Sequence, residues 1–510
     1  MTKKPNILLI TSDQHRGDCF GFEGRNVKTP HLDRMAKEGS RFSNCITPNA
    51  VCQPSRSSIL TGLLPCTHGV SDNGIDLEVA QGEKGFGRTL ASSGYQSGFV
   101  GKTHFSTHHT FAPTGTPEDK STIPNLPVDW MGPYMGFDHM ETMMLGHYAN
   151  GRPTPPPNSL HYERWLFADG RGEDKIKLWE THLAPDIGAP QTWNSAMPAA
   201  WHHSTWVGNQ TVRYLGQHKD EPFVLWASFP DPHTPFDCPE PWSRLHHPDD
   251  VELPYHMERD LDRRPWWHEK SLQGKPDMPD AKLSAHRAKW SRVTPPNEEK
   301  LRHTIANYYG MISLIDHNVG RILTALDELG LGENTIVVFT SDHGEWLGDH
   351  GLLLKGPMLY EGLLRVGCVV RGPGVGVDKV IDDPVSTLDL ASTFYDYAGV
   401  SEPQDLHSKS LKPLLESGSE TRDFARNEWD LRPSRSGVNL KLRTARTKTA
   451  KLTLEEISAA GEMYDLNNDP HEMDNLFGDL GYSKLQKELT DMIQSRPGDM
   501  VPQKKQVGMA

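Results

Sequence analysis

Residues 7–14 read Ile-Leu-Leu-Ile-Thr-Ser-Asp-Gln, an apolar run that stops at a polar cluster. A short continuous apolar run is typical of a strand buried on both faces of a sheet. Three further runs end in polar clusters in the same way, at residues 95–100 before 101–104, 223–228 before 230–233, and 335–340 before 341–344. Carboxyl ends of parallel strands meet at one edge, where α/β sheets bind ligands. We therefore predict an α/β fold with a large, mostly parallel sheet flanked by helices.

The length of 510 residues predicts two domains. Residues 1–400 contain the four polar clusters and are expected to form the catalytic α/β domain, with helices over residues 30–39, 55–64 and 304–329. Long insertions over the site are expected at about residues 105–300, which hold all the tryptophans except Trp346 and Trp429. Simple loop packing is the alternative role for this region.

Beyond residue 400 the pattern changes to shorter segments. Alternation predicts antiparallel strands at residues 440–447 and 451–454, and residues 482–495 have the apolar spacing of a helix. We expect residues 401–510 to form a smaller C-terminal α+β domain with a short antiparallel sheet and a closing helix.

The amino-acid composition argues against some classes of binding partner. Lys and Arg number 53 against 67 Asp and Glu, and a net charge of -14 argues against a nucleic-acid partner. The longest apolar runs fall far short of the roughly 20 residues of a membrane helix, and the N-terminus lacks a signal-peptide pattern. The six cysteines show neither zinc spacing nor the density of a disulfide scaffold, which suits a reducing compartment. We expect a cytoplasmic protein with no membrane partner, assembled as a homo-oligomer and specifically a dimer.

Residues 51–62 read Val-Cys-Gln-Pro-Ser-Arg-Ser-Ser-Ile-Leu-Thr-Gly. Pro54 suits the first turn of a helix, so Cys52 would lie just before an N-terminus whose free N–H groups favour a bound anion. An isolated cysteine is most often a buried hydrophobe, and a thiolate paired with histidine is a further alternative. The stretch resembles the C-x-P-S-R-x-x-x-L-T-G signature of type I sulfatases, which belong to the alkaline phosphatase superfamily. Residues 463–476 also resemble a recurrent sulfatase segment.

This resemblance implies an alkaline-phosphatase-like fold and a modified nucleophile. A formylglycine-generating enzyme would oxidise Cys52 to formylglycine (3-oxoalanine), and Arg56 would hold the hydrated aldehyde. One hydroxyl of the hydrate would attack sulfur, and the other would later lose a proton to expel sulfate.

The resemblance also implies one divalent metal ion per chain. Its ligands would be Asp13, Gln14, Cys52, Asp342 and His343. The family usually has two adjacent aspartates at the first pair, so Gln14 keeps an oxygen ligand but removes a negative charge. Oxygen ligands suit calcium and the nitrogen of His343 favours manganese, which leaves both ions open.

Four further residues match catalytic or substrate-binding positions of the family, and Asn73 would bind an ester oxygen. Lys102 and His104 resemble its Lys-x-His pair: Lys102 would bind the ester and hydrate oxygens, and His104 would accept the proton when sulfate leaves. A solvated basic loop is the alternative. His233 would be the general acid for the leaving oxygen, and Lys355 an electrostatic clamp on the sulfate.

Taken together, these residues predict a sulfatase that hydrolyses small sulfate monoesters, with arylsulfatase-type activity. Phosphonate monoester and phosphodiester hydrolases of the same superfamily are the alternative, because their metal pairs resemble Asp13-Gln14 and Asp342-His343. Lys102 and His104 favour the sulfatase. All these esters carry one negative charge, so we also expect promiscuity between them. A binding protein that keeps the fold without catalysis is a third possibility.

Overall fold

A computed structural model describes residues 4–143, 153–291, 293, 297–419 and 422–509. None of the helices in these ranges is long and apolar enough to cross a membrane. The strands are β1 Asn6–Ser12, β2 Ser40–Ile46, β3 Gln96–Lys102, β4 His109–Thr110, β5 His139–Met143, β6 His182–Leu183, β7 Thr192–Ser195, β8 Phe223–Ser228, β9 Phe236–Pro239, β10 Thr335–Ser341, β11 Arg365–Arg371, β12 Lys379–Ile381, β13 Val385–Ser386, β14 Phe424–Leu431, β15 Leu440–Thr447, β16 Ala450–Glu455, β17 Gly461–Asp465 and β18 Gly508–Met509.

The helices lie between these strands. They are α1 Pro30–Glu38, α2 Cys52–Thr61, α3 Pro65–His68, α4 Val79–Gly82, α5 Phe86–Ala91, α6 His161–Phe167, α7 Gly172–Glu180, α8 His203–Gln217, α9 Trp266–Gln273, α10 Ala281–Trp290, α11 Glu298–Glu328, α12 Glu361–Leu364, α13 Leu390–Ala398, α14 Lys412–Glu416, α15 Pro433–Ser436 and α16 Ser483–Gln494.

The central sheet has the order β12-β2-β11-β10-β1-β8-β3-β5, with β13 beside β2. Strand β1 pairs in parallel with β8 and β10, and β3 pairs in parallel with β8 and β5. Only β11 runs antiparallel, to both of its neighbours. The predicted large, mostly parallel sheet is confirmed, and its central strands bring their carboxyl ends to one edge.

Helices cover both faces of this sheet because alternate side chains of β1 point to opposite sides. Ile7 and Leu9 pack in one apolar core with residues of α2, α5 and α13. Leu8 and Ile10 pack in a second core with residues of α1, α8 and α11. A strand buried on both faces reads as a continuous apolar run, which is the pattern of residues 7–10.

Two helices begin earlier than the sequence indicated. Helix α2 starts at Cys52, so this residue occupies the first helical position instead of the position before it, and Gly62 in the left-handed conformation ends the helix. Helix α11 starts at Glu298, where the side chain of Asn297 accepts a hydrogen bond from the Lys300 amide.

The C-terminal part is built around the antiparallel sheet β14-β15-β16-β17, and α16 packs on it through Leu489 and Ile493. Beyond α16 the chain returns to the larger unit, where β18 pairs with β4. The smaller C-terminal domain with an antiparallel sheet and a closing helix is thus present. The region expected to hold insertions also supplies β5 and β8 of the central sheet.

Candidate active site

The four strand-end clusters converge beside the N-terminus of α2. Asp13 follows β1, Asp342 follows β10, and Lys102 ends β3, and all three side chains are fully buried. A cavity of about 140 Å³ opens above them. Six of the predicted residues line it, namely Gln14, Cys52, Asn73, His104, His233 and Lys355.

Cys52 lies at the floor of the cavity among cationic and imidazole groups. Its Sγ is 3.2 Å from Lys355 Nζ, 3.2 Å from His343 Nε2 and 3.7 Å from Asp13 Oδ1. Burial opposes ionisation of the thiol, but Lys102, Lys355 and His343 hold its pKa well below the usual value. Residue 52 therefore occupies a position that favours negative charge, as a site for an anionic ester requires.

Arg56 connects the strand ends beneath the cavity. Its Nε donates to Asp342 Oδ2 at 2.9 Å, and its Nη1 donates to the Lys102 carbonyl and to Ser228 Oγ, both at 2.8 Å. Lys102 forms an ion pair with Asp13. Burial raises the pKa of Asp13, but cations including Lys102 outweigh it and hold that pKa well below its usual range.

The predicted metal ligands form one cluster. Ligand atoms of Asp13, Cys52, Asp342 and His343 lie within 4.8 Å of one another, and all four residues are buried. His343 Nδ1 donates to the Gly344 carbonyl at 2.9 Å, so Nε2 carries the lone pair, and Nε2 lies 3.1 Å from Lys355 Nζ and 3.2 Å from Cys52 Sγ. Burial and the nearby Asp13 raise the pKa of Asp342, as expected where two carboxylates share an interior site.

Gln14 fits the same cluster. Its Nε2 donates to Glu345, while its Oε1 is buried and has no hydrogen-bond partner within the described ranges. A buried acceptor without a donor is costly unless a ligand satisfies it. The donor set of carboxylate, amide and imidazole atoms therefore fits a divalent cation.

The two candidate proton-transfer histidines, His104 and His233, are far apart in sequence but line the same cavity. His233 Nδ1 donates to the Thr234 carbonyl at 2.7 Å, so Nε2 is the nitrogen left for a ligand. Burial and then Lys355 lower its pKa from the ordinary value. Burial and Lys102 lower the pKa of His104 to about 4, which keeps this imidazole neutral and able to accept a proton.

Asp231 anchors the segment that carries His233, a role that the sequence did not reveal. Its carboxylate accepts hydrogen bonds from His203 Nε2 at 2.6 Å and from Ser204 Oγ, both at the start of α8. Its backbone carbonyl accepts from the Asp13 amide at 2.9 Å. His233 is thus fixed relative to the strand end that holds Asp13. An aspartate in a polar cluster after a strand was the available signal.

The tryptophans have mainly a packing role. Trp206, Trp226 and Trp267 are fully buried in the cores. Among the tryptophans that the structure describes, Trp290 alone lines the cavity. These three tryptophans therefore pack in the cores, as expected for this residue type, whereas other residues of the region, including His233 and Trp290, line the cavity.

Comparison with known proteins identifies the family. The sulfatase family model matches residues 5–400. The chain belongs to the sulfatase family. A second model, for the C-terminal part of N-sulphoglucosamine sulphohydrolase, matches residues 348–497. Membership makes this sulfatase a sulfuric ester hydrolase, as the motif around Cys52 predicts.

Individual relatives of this sulfatase match along nearly the whole chain. It is 29% identical to an arylsulfatase of Clostridium perfringens, covering 97% of this chain and 95% of the relative. It is 28% identical to an N-acetylglucosamine-6-O-sulfatase of Bacteroides thetaiotaomicron, covering 97% and 86%. The phosphonate monoester hydrolase of Agrobacterium radiobacter superimposes with a TM-score of 0.76 at 26% identity, covering 96% of this chain and 95% of that structure. These neighbours place the sulfatase in the alkaline phosphatase superfamily, as predicted.

Proposed function

We propose that this sulfatase hydrolyses small sulfate monoesters, with aryl sulfates among them, through formylglycine formed at residue 52. The observation that carries the proposal is the position of Cys52, at the first residue of α2 and in contact with Lys355 and His343 at the floor of the cavity. Free N–H groups at this helix end and the nearby cations suit a sulfate group. Its maturation would require a formylglycine-generating enzyme as partner.

Residue 52, as a hydrated aldehyde, supplies one hydroxyl that attacks sulfur and a second whose deprotonation expels sulfate. The surrounding side chains have separate roles in these steps. Lys355 and Lys102 bind sulfate oxygens and stabilise the charge that develops on them. His233, when protonated on both ring nitrogens, donates the Nε2 proton to the leaving oxygen and returns to the neutral form. His104 accepts the proton of the second hydroxyl.

Two other residues complete the site. Arg56 orients residue 52 from below, Asn73 binds an oxygen of the ester, and the Asn73 Oδ1 accepts a hydrogen bond from the Gln53 amide at 3.1 Å. This bond holds Asn73 against the first turn of α2.

A divalent cation, calcium or manganese, belongs to the proposal. Asp13, Gln14, Asp342 and His343 would hold it together with residue 52. When bound, the ion supplies positive charge to the oxygens of residue 52 and of the sulfate group. A cytoplasmic location, a dimeric assembly and a domain division near residue 400 stay predictions.

Phosphonate monoester or phosphodiester hydrolysis is the second candidate. The similarity to a solved phosphonate monoester hydrolase and the pairs Asp13-Gln14 and Asp342-His343 favour it. Lys102 and His104 favour sulfate, because they match the sulfatase pair.

A paired kinetic assay tests the proposal. The protein is produced with a formylglycine-generating enzyme, its formylglycine content is measured by mass spectrometry, and an aryl sulfate is compared with the matching aryl phosphonate monoester. We expect a higher kcat/KM for the sulfate. A higher kcat/KM for the phosphonate would favour the second candidate. Cys52→Ala should abolish both activities with an unchanged circular dichroism spectrum, and activity near that of the unsubstituted enzyme would refute the nucleophile assignment.

A further inference from the structure

Two arginines outside the predicted catalytic set line the same cavity. Arg287 lies on α10, and Arg435 lies on the short helix α15 of the C-terminal part. They are only 6% and 5% exposed. Neither helix carries a residue of the proposed catalytic set, so two distant segments of the chain bring guanidinium groups to one wall of the cavity.

The surroundings of Arg435 leave its charge largely uncompensated. Its Nε and Nη2 are buried and have no hydrogen-bond partner among the residues that the structure describes. Its guanidinium stands 5.6 Å from the centre of the Trp429 ring, a cation–π contact that supplies no anionic partner. A buried arginine without an anionic partner is costly, so its retention points to an anion that arrives with a ligand.

The carboxylate that acts on these arginines, Asp72, has hydrogen-bond partners of its own. The carboxylate of Asp72 influences both arginines electrostatically. Its Oδ1 accepts from the Asn73 amide at 2.8 Å and from Trp429 Nε1 at 3.1 Å, and its Oδ2 accepts from the Arg432 amide at 2.9 Å. Burial, followed by the mutual repulsion with Arg435, lowers the pKa of Arg287 to about 9. Arg287 and Arg435 therefore repel each other, and an anion bound near both would relieve that repulsion.

The catalytic cations lie at the reaction centre. Lys102 is paired with Asp13, and Lys355 contacts Cys52, at the floor of the cavity. Ring and apolar groups line the same cavity. Trp290 and His286 lie one turn apart on α10, with ring centres 6.1 Å apart, and Met509 of β18 also lines the cavity. These groups suit the ring of a substrate that carries two anionic groups.

We propose that Arg287 and Arg435 form a second anion subsite, so that this sulfatase acts on sulfate esters of ring alcohols that bear a further carboxylate or sulfate. The substrate class rests on the proposed hydrolysis, whereas the subsite itself is a binding site and can be tested without turnover. Guanidinium forks bind both carboxylate and sulfate oxygens, so the shared chemistry is a second anionic group.

Calorimetry on the Cys52→Ala protein provides that test. The probes are benzenesulfonate, 4-sulfobenzoate and benzene-1,4-disulfonate, which share one sulfonate and differ in the second group. We expect at least one of the two dianions to bind at least about tenfold more tightly than the monoanion, because hydrogen bonds to charged groups are strong in a buried site. The dianion whose affinity increases more shows whether the subsite prefers a carboxylate or a sulfonate-like group.

Substitutions test whether the two arginines cause the higher affinity for dianions. Arg435→Met and Arg287→Met, each added to Cys52→Ala, should remove most of the dianion preference, and Arg435→Lys should retain part of it. The matched controls are Arg432→Met, whose Nη2 donates to the Lys504 carbonyl at 2.8 Å, and Lys289→Met on the exposed side of α10. Both controls should keep the preference.

Equal affinity for the monoanion and both dianions would overturn the subsite. So would a dianion preference that persists in Arg435→Met and Arg287→Met proteins with unchanged circular dichroism spectra. Because these readouts use an inert protein, they are independent of the kinetic assay. Absence of sulfate ester turnover would refute the proposed function but would not affect the binding result.

Discussion

Removal of the buried cation Arg56 should destabilise the protein clearly more than removal of a cation on the surface. It is 0% exposed and reaches three acceptors, Asp342 Oδ2, the Lys102 carbonyl and Ser228 Oγ. Arg56→Met leaves the Asp342 carboxylate buried without this partner. Breaking a buried pair from one side costs about 3–5 kcal/mol.

The length of the chain determines how large a fall in melting temperature this free-energy cost produces. An unfolding entropy of about 2.1 cal/mol/K per residue over 510 residues gives about 1.1 kcal/mol per kelvin. The melting temperature of Arg56→Met should therefore fall by about 3–5 °C. Arg56→Lys keeps the positive charge but cannot reach all three acceptors, so we expect an intermediate fall.

Differential scanning calorimetry in EDTA, at one fixed scan rate, provides the measurement, since the chelator removes any contribution of bound metal. Arg34→Met is the matched control, because Arg34 is 46% exposed and only reaches Glu38 at 3.6 Å on the surface of α1. An exposed pair of this kind contributes roughly 0–1 kcal/mol. A melting temperature for Arg56→Met within about 1 °C of that control, on the entropy scale used above, would refute the buried-pair reasoning.

Two further predictions concern the chemistry of the site. His233→Ala should lower kcat/KM by about 10²–10⁴-fold for an alkyl sulfate, whose poor leaving group needs a proton, and much less for 4-nitrophenyl sulfate; equal losses would contradict the general-acid role. Calcium or manganese at about 100 times its Kd should add about 2.7 kcal/mol to stability, a rise of about 2–3 °C over the EDTA value. Asp342→Asn should abolish this metal-dependent rise, and a rise of the same size in that variant would argue against the ligand set.

The fold was largely predictable because its decisive signals are local. Strands buried on both faces must be continuously apolar, and each of the four runs, including residues 7–10, is visible without knowledge of its partners. The antiparallel insertion of β11 between β10 and β2 was not predictable. Strand order depends on contacts between segments far apart in sequence, which a local pattern does not encode.

The same distinction applies to the site. Asp13, Lys102 and Asp342 were identifiable because polar residues after buried strands converge at one edge. The sequence did not identify Arg287 and Arg435 as site residues because neither follows a strand of the central sheet. An arginine on a helix ordinarily indicates a solvated face. Only the packing of α10 and α15 around the cavity makes these two side chains neighbours.

Charge balance explains why maturation matters to the site. Before modification, Lys102, Lys355 and Arg56 face the carboxylates of Asp13 and Asp342 and a Cys52 thiol whose pKa is held well below its usual value. The cluster is close to neutral in that state. Conversion of Cys52 to an aldehyde removes the thiolate charge, and a divalent cation adds two positive charges. The mature site is then strongly positive and attracts any anionic ester. Sulfate monoesters and phosphonate monoesters carry the same single charge, so discrimination between them must come from geometry, including that of Lys102 and His104.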